Sequence, residues 1–327
     1  MRDIGLAGLP GAGKSTLFTA LTRTGAAGGR SNQAVVPVPD PRLDVLAEIE
    51  RSARVVPAQV RFMDVPGGLS SQSIATLREA DALAIVLAAF HSAADPATDL
   101  ETIRAELLLA DLGGVESGRQ RAERKARGKD EGAKADLERL RRAGDLLEAE
   151  RPLRRGDWSD EDLKALRGYG FLTLKPWIVV ANLEEGARVP QGLPPDTVGV
   201  FASIEAEVAA MDPAEGAALL HEFGVEEPGL EKMIRAAYGA LDLITFLTTG
   251  EDETRAWQVR RGALAPEAAG QIHSDLERGF IRAEVVSYDD LAAAGSMKAA
   301  KEQGLVRTEG KAYEVREGDV LNILFSV

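Results

Sequence analysis

Near its amino terminus the chain reads Gly8-Leu9-Pro10-Gly11-Ala12-Gly13-Lys14-Ser15, a full match to the pattern G-x-x-x-x-G-K-[ST]. The residue types state the chemistry. Glycines let backbone N–H groups close around phosphate oxygens, and a helix N-terminus adds positive potential at the same point. A lysine at position 14 reaches β- and γ-phosphates, the hydroxyl of Ser15 suits Mg²⁺, and Thr16 continues the loop into a helix. Pro10, Gly11, Ala12 and Gly13 supply the turn itself. A second element, Asp64-Val65-Pro66-Gly67, spells D-x-x-G after the apolar run Val60-Arg61-Phe62-Met63. An acid there holds Mg²⁺ and the Gly67 N–H senses a γ-phosphate, although Asp-x-Pro-Gly is also ordinary turn chemistry. The third element is Asn182-Leu183-Glu184-Glu185 after Trp177–Ala181. Guanine-specific switches carry N-K-x-D at such a place. Here the lysine is Leu183 and the final aspartate is Glu185, so the guanine code is broken; a carboxylate offers only acceptors, and adenine's 6-amino group is a donor.

These residues need a scaffold that ends strands beside one another. From Met1 to about Ala94, short apolar runs alternate with helical stretches, which predicts an α/β unit with parallel strands and crossovers. Between about Asp99 and Arg167 the chain is rich in Glu, Arg, Lys, Ala and Leu, with Leu137, Leu140 and Leu147 at helical spacing. Glu123/Arg127 and Glu138/Arg142 are acid-first i,i+4 pairs, and the stretch predicts two long helices forming a coiled-coil hairpin. Strands are expected at Trp177–Ala181 and near Val198–Ala202, and a helix over Gly229–Leu241. From Asp242 the pattern predicts strands Leu243–Thr248 and Thr254–Arg260, a helix Pro266–His273, a hairpin around Glu309-Gly310-Lys311 and a last strand Val320–Val327. The expected partition is a nucleotide-binding domain over 1–98 and 172–241, a helical insertion over 99–171 and a small β-rich domain over 242–327.

Composition bounds the function. The 327 residues carry 39 Lys+Arg against 52 Asp+Glu, a net charge of −13, which argues against a general nucleic-acid binder and against a DNA-specific one. A basic run, Arg119, Arg121, Arg124, Lys125, Arg127 and Lys129, is interleaved with Glu123 and Asp130, and reads as a solvated helix face or an RNA contact. With no cysteine there is no disulfide, thiolate nucleophile or iron–sulfur cluster. Three scattered histidines, His91, His221 and His273, offer no metal cluster. The longest apolar run, Ala82–Phe90, falls far short of the ~20 residues needed to span a bilayer, so a cytoplasmic protein without a membrane partner is expected. Trp158, Trp177 and Trp257 are expected to pack rather than to stack on bases.

Together with the carboxyl-terminal third, these motifs resemble the YchF / Obg-like ATPase family, a branch of the Obg-related translation-factor GTPases. The most specific stretches are Val36–Asp44, Asp99–Ile103 with Ala110–Leu112, Glu226–Leu230 with Ile234–Tyr238, and Arg255–Trp257 through Ala265–Val285. The resemblance implies a P-loop G domain, a coiled-coil arm and a ubiquitin-like β-grasp (TGS) domain. It also implies Mg²⁺-dependent ATP hydrolysis in preference to GTP, and ribosome or ribosomal RNA as partner. Asn182 and Glu185 fit the family's N-x-x-E, and Ser203 falls in its base-binding loop, where the family's S-A-K becomes Ala202-Ser203-Ile204. The chain departs from the family in two shortened loops. Between Gly25 and Val35 there is no threonine to close over Mg²⁺, and Ser31 is the only hydroxyl. After Asp64 the glycine-rich segment is cut to Gly68–Ile74, with Leu69 at the place of a family hydrophobic residue and Gln72 further on. No residue is assigned as the catalytic base, and His91 falls beside a deletion. A slow NTPase switch is therefore expected. The alternatives are a nucleotide-dependent binding module with little turnover, and a GTP-binding protein.

Overall fold

A computed structural model describes residues 1–24, 32–65, 67–126, 131–223, 225 and 227–326. Ser31, Pro66, Arg127, Lys129, Asp130 and Glu226 of the sequence motifs lie outside the described residues. The chain divides into two compact units, one of Arg2–Val36 and Arg61–Ala237, the other of Met1, Pro37–Val60 and Tyr238–Val327.

In the first unit a six-stranded sheet has the spatial order Gln33–Pro37, Gln59–Asp64, Arg2–Ala7, Ala82–Ala89, Trp177–Leu183, Val198–Val200. Arg2–Ala7 pairs with Ala82–Ala89, which pairs with Trp177–Leu183, which pairs with Val198–Val200, all parallel. Ala82–Ala88 are all buried, as a central parallel strand covered on both faces requires. Because Arg2–Ala7, Ala82–Ala89 and Trp177–Leu183 run the same way, their carboxyl ends gather Gly8, Phe90 and Asn182 along one edge, the usual ligand edge of such sheets, and Asp64 meets Ser15 of the helix that follows Gly8. Arg61, on one strand, pairs with Asp3 on its neighbour.

The two long helices of the insertion are present, Pro96–Ala126 and Glu131–Glu148. Gly113 and Gly114 do not interrupt the first of them; a side chain at Gly114 would press on Phe171 at 3.3 Å. Leu140 and Leu147 are buried with Val115, Ala122, Leu153 and Phe171, and Leu137 packs against them. The expected Glu138–Arg142 pair gives way to other partners. Arg142 reaches Asp162 at 3.2 Å and lies over Trp158, while Glu138 meets Arg141 at 3.9 Å. The three tryptophans are structural, each with an arginine over its ring and its Nε1 donating, to Leu153 O, Leu172 O and Thr248 Oγ1. Among the described residues no helix is long and apolar enough to cross a membrane.

The second unit is built on a mixed sheet in the order Arg307–Glu309, Phe280–Ser287, Asp319–Phe325, Leu243–Thr248, Thr254–Arg260, Val55–Val56. Leu243–Thr248 and Asp319–Phe325 are parallel neighbours at its centre. Ala265, Ala268 and Ala269 of the Ala265–Ile272 helix are buried against Phe246, Val285 and Leu321. Pro37–Val60 groups with this unit by its contacts, Val55 and Val56 pairing with Thr254 and Arg255. One expectation changes here. The expected hairpin at 309–311 is not one: Arg307–Glu309 pairs backwards with Phe280–Ser287, and Glu314 bridges to Leu264.

Candidate functional site

The loop after Arg2–Ala7 turns into the Lys14–Thr24 helix through Gly11 and Gly13, at φ +81° and +84°. Only glycine holds that left-handed conformation at low cost. Gly8 passes so close to the Val86 carbonyl that a Cβ would collide with it, and a Cβ at Gly13 would collide with the Asn182 amide. Gly8 is thus required by close approach, Gly11 by conformation and Gly13 by both. Lys14, 8% exposed, donates from Nζ to Gly8 O at 2.8 Å and Leu9 O at 2.9 Å. Burial lowers its pKa, and the charge of Asp64 acts in the opposite direction. The ammonium is therefore folded back on its own loop, within a side-chain rotation of any anion placed there.

Asp64 ends its strand beside Ser15, whose hydroxyl donates to Oδ2 at 3.5 Å. The other carboxylate oxygen, Oδ1, is buried with no hydrogen-bond partner. A buried, unpartnered carboxylate oxygen beside a serine hydroxyl suits a hard cation with oxygen ligands. Among the described residues no three His, Asp or Glu side chains converge to hold a metal by themselves. Two protein oxygens fit Mg²⁺, which takes its remaining ligands from water and substrate phosphates. Gly67 and Gly68 follow at φ +85° and +68°, and Ser70 caps the Ser71–Leu77 helix by accepting from Ser73 N. Gly68 lies against Pro10, where a Cβ would come within 3.2 Å of Cδ. Leu69 packs on the hydrophobic core, and Gln72 is exposed on the helix.

A cavity of about 290 Å³ adjoins the loop, lined by Gly13, Thr16, Asn182, Leu183, Glu185 and Ser203. The sequence motifs named all six, and Glu184 and Ile204 of the same motifs also line it; Phe90 and Phe201 complete the wall and were not anticipated. Phe90 directly follows the Ala82–Ala89 strand and Phe201 the Val198–Val200 strand, so aromatic residues at strand ends were the available signal. Asn182, 6% exposed, is a tie rather than a free ligand: Nδ2 donates to Ala12 O and Oδ1 accepts from Ala202 N, both at 3.3 Å. It fixes the phosphate-type loop to the far wall of the cavity. His91 is exposed, edge-on to Phe90 at 5.2 Å. His273 caps a helix, its Nδ1 accepting from Asp275 N.

The chain's similarities agree with this geometry. Residues 3–110 match a family model described as a 50S ribosome-binding GTPase, and residues 243–326 match the carboxyl-terminal model of YchF GTPases, described as a protein of unknown function. A ribosome-binding ATPase YchF of Haemophilus ducreyi is 42% identical over 358 aligned positions, covering 99% of both chains. The chain belongs to the YchF family. That alignment is longer than the 327 residues here, so the relative carries segments this YchF chain lacks. The YchF of Bacillus subtilis is 38% identical over 99% of both chains, and Obg-like ATPase 1 of Oryza sativa subsp. japonica 34% over 99% of this chain and 92% of its own. The structure of the Schizosaccharomyces pombe YchF GTPase matches with a TM-score of 0.88 at 29% identity, covering 99% of this chain and 97% of that one. The chain is thus a P-loop NTPase of the YchF family. Gly13→Ala should weaken ATP binding about tenfold, because the new methyl both strains a left-handed residue and displaces Asn182. Calorimetric titration reads it, and unchanged affinity would show that Asn182 yields freely.

Proposed function

We propose that this P-loop NTPase is a slow, Mg²⁺-dependent ATPase, preferring ATP to GTP, whose nucleotide state governs association with the ribosome. The observation that carries the reading is the loop itself, with the Lys14 ammonium held on the Gly8 and Leu9 carbonyls and Asn182 tying Ala12 to Ala202. Lys14 and the loop amides would stabilise charge on the β- and γ-phosphates as water attacks in line. Ser15 and Asp64 would hold Mg²⁺, which when bound neutralises phosphate charge. No side chain is assigned as general base, and turnover should be slow without a partner. Glu185 in the cavity wall favours adenine, whose amino group donates, and Leu183 replaces the lysine of guanine-specific proteins. The ribosome enters through the relatives named as ribosome-binding ATPases, and a cytoplasmic location follows from it.

Competitive titration of ATP, ADP, GTP and GDP, followed by phosphate release with and without ribosomes, tests the reading. ATP should bind at least tenfold more tightly than GTP. Equal or reversed affinities would make it a GTP-binding protein. Tight binding with no release, even on ribosomes, would make it a nucleotide-dependent binding module, which the absence of threonine between Gly25 and Val35 favours. Sedimentation with ribosomes across a salt series decides whether Arg119, Arg121, Arg124 and Lys125 contact RNA, since a phosphate-contacting face loses binding steeply as salt rises.

A further inference from the structure

Behind the cavity lies a carboxylate that none of the motifs uses. Glu205, 3% exposed, is on the Ala202–Val208 helix and does not line the cavity. Its Oε1 accepts from Phe201 N at 3.0 Å and Gly229 N at 3.1 Å, and its Oε2 from Leu230 N at 2.8 Å. Gly229 and Leu230 open the Gly229–Ala240 helix, so one carboxylate satisfies two of that helix's otherwise unpaired amides and reaches back to the turn. The junction leaves no slack. A Cβ at Gly229 would meet Gly199 O, Glu205 Oε1 and Val200 Cα at 2.6–2.7 Å. Two consecutive amides of the cavity wall are therefore held from opposite sides, Phe201 by Glu205 and Ala202 by Asn182. Phe201, Ser203 and Ile204 of this turn line the cavity.

We infer that Glu205 is a positioning residue for the nucleoside half of the ligand: it fixes the Phe201–Ile204 wall against which the base and ribose bind, and leaves the phosphate half untouched. The division follows from the contacts, since Lys14 is held by Gly8 and Leu9, neither of which Glu205 touches. Burial raises the Glu205 pKa while the three amides act against it, as expected of a carboxylate kept for its acceptors. Glutamine fits the same space but turns an amide nitrogen toward backbone N–H groups, so it cannot serve all three. The inference rests on the cavity being the nucleoside's place.

The experiment compares full-length protein and Glu205→Gln with ATP, ADP and inorganic tripolyphosphate, a ligand with no nucleoside. ATP and ADP should bind about tenfold more weakly to the variant and tripolyphosphate within twofold of the parent. KM for ATP should rise by the same factor, with kcat unchanged. In the unaltered protein, ADP but not tripolyphosphate should slow amide hydrogen exchange in peptides covering both 199–206 and 227–232, a readout that survives if the variant does not fold. Equal weakening of all three ligands would reduce Glu205 to a support of the fold. Unchanged ATP affinity, or no ADP protection over 227–232, would overturn the inference alone. Failure of the parent to bind either ATP or tripolyphosphate would overturn the site reading with it.

Discussion

Replacing Lys14 by Ala should lower kcat/KM for ATP at least 100-fold, measured as phosphate release at subsaturating ATP. The expectation comes from where the ammonium sits. It is nearly buried, with Gly8 O and Leu9 O as its only hydrogen-bond partners among the described residues. Both carbonyls belong to the loop, so the charge is stored at the place where phosphate charge develops. A preorganised donor in a poorly solvated site is worth more than the same donor in water, and removing one typically costs 10²–10³ in rate, or about 3–4 kcal/mol. Arginine should not rescue, because a planar guanidinium cannot take the ammonium's place between two adjacent carbonyls. The fold should survive, since the lysine's own burial is unfavourable and Ala removes that cost. A Lys14→Ala protein with full turnover would put the active site elsewhere.

The phosphate side of this site was legible because each residue type is dictated locally, by turn conformation and by phosphate geometry. The strands Leu243–Thr248 and Thr254–Arg260 were legible for a similar reason, a short apolar or alternating run bounded by turn residues. Phe280–Ser287 was not read as a strand, although it lies between two others in its sheet. Its pairing with Asp319–Phe325 shifts register between Phe280 and Arg282, which leaves Ile281 and Arg282 both exposed and spoils the alternation. Val55–Val56 is too short for any periodicity, so its pairing with Thr254 and Arg255 could not be seen. The motifs give Glu205 and Asp111 no role, although Asp111 lies in one of the family-like stretches. Their most distant backbone partners lie 24–25 and 61–62 residues away along the chain, and only the folded chain brings them together.

Asp111 carries the second large effect, on stability. It is fully buried at the root of the helical insertion, where Oδ1 accepts from Leu172 N at 2.9 Å and Arg78 Nη1 at 3.1 Å, and Oδ2 from Thr173 N at 2.7 Å. Arg78 also donates to Gly170 O and Ala110 O, and Lys175 donates to the carbonyls of Arg78 and Ala80. One carboxylate thus joins the Pro96–Ala126 helix, the end of the Ser71–Leu77 helix and the segment leading into the strand that bears Asn182. Asp111→Ala leaves two backbone N–H groups and a guanidinium short of an acceptor, and breaking such a buried pair costs about 3–5 kcal/mol. At roughly 2–4 °C per kcal/mol for a unit of this size, the melting temperature should fall by about 10 °C. Asp111→Asn retains one oxygen but turns its amide on the Thr173 or Leu172 N–H, and should lose about half as much. The pH dependence has a definite sign. Burial raises the Asp111 pKa, with its hydrogen bonds and Arg78 opposing, so the native state binds the proton more readily than the unfolded chain does. That contribution to stability is present below the ordinary aspartate pKa and is lost as pH rises through the raised one, and Asp111→Asn should abolish it. Melting curves of the three proteins across pH decide the matter: an Asp111→Ala protein within a degree of the parent would mean that the junction is held by apolar packing, with the carboxylate contributing nothing.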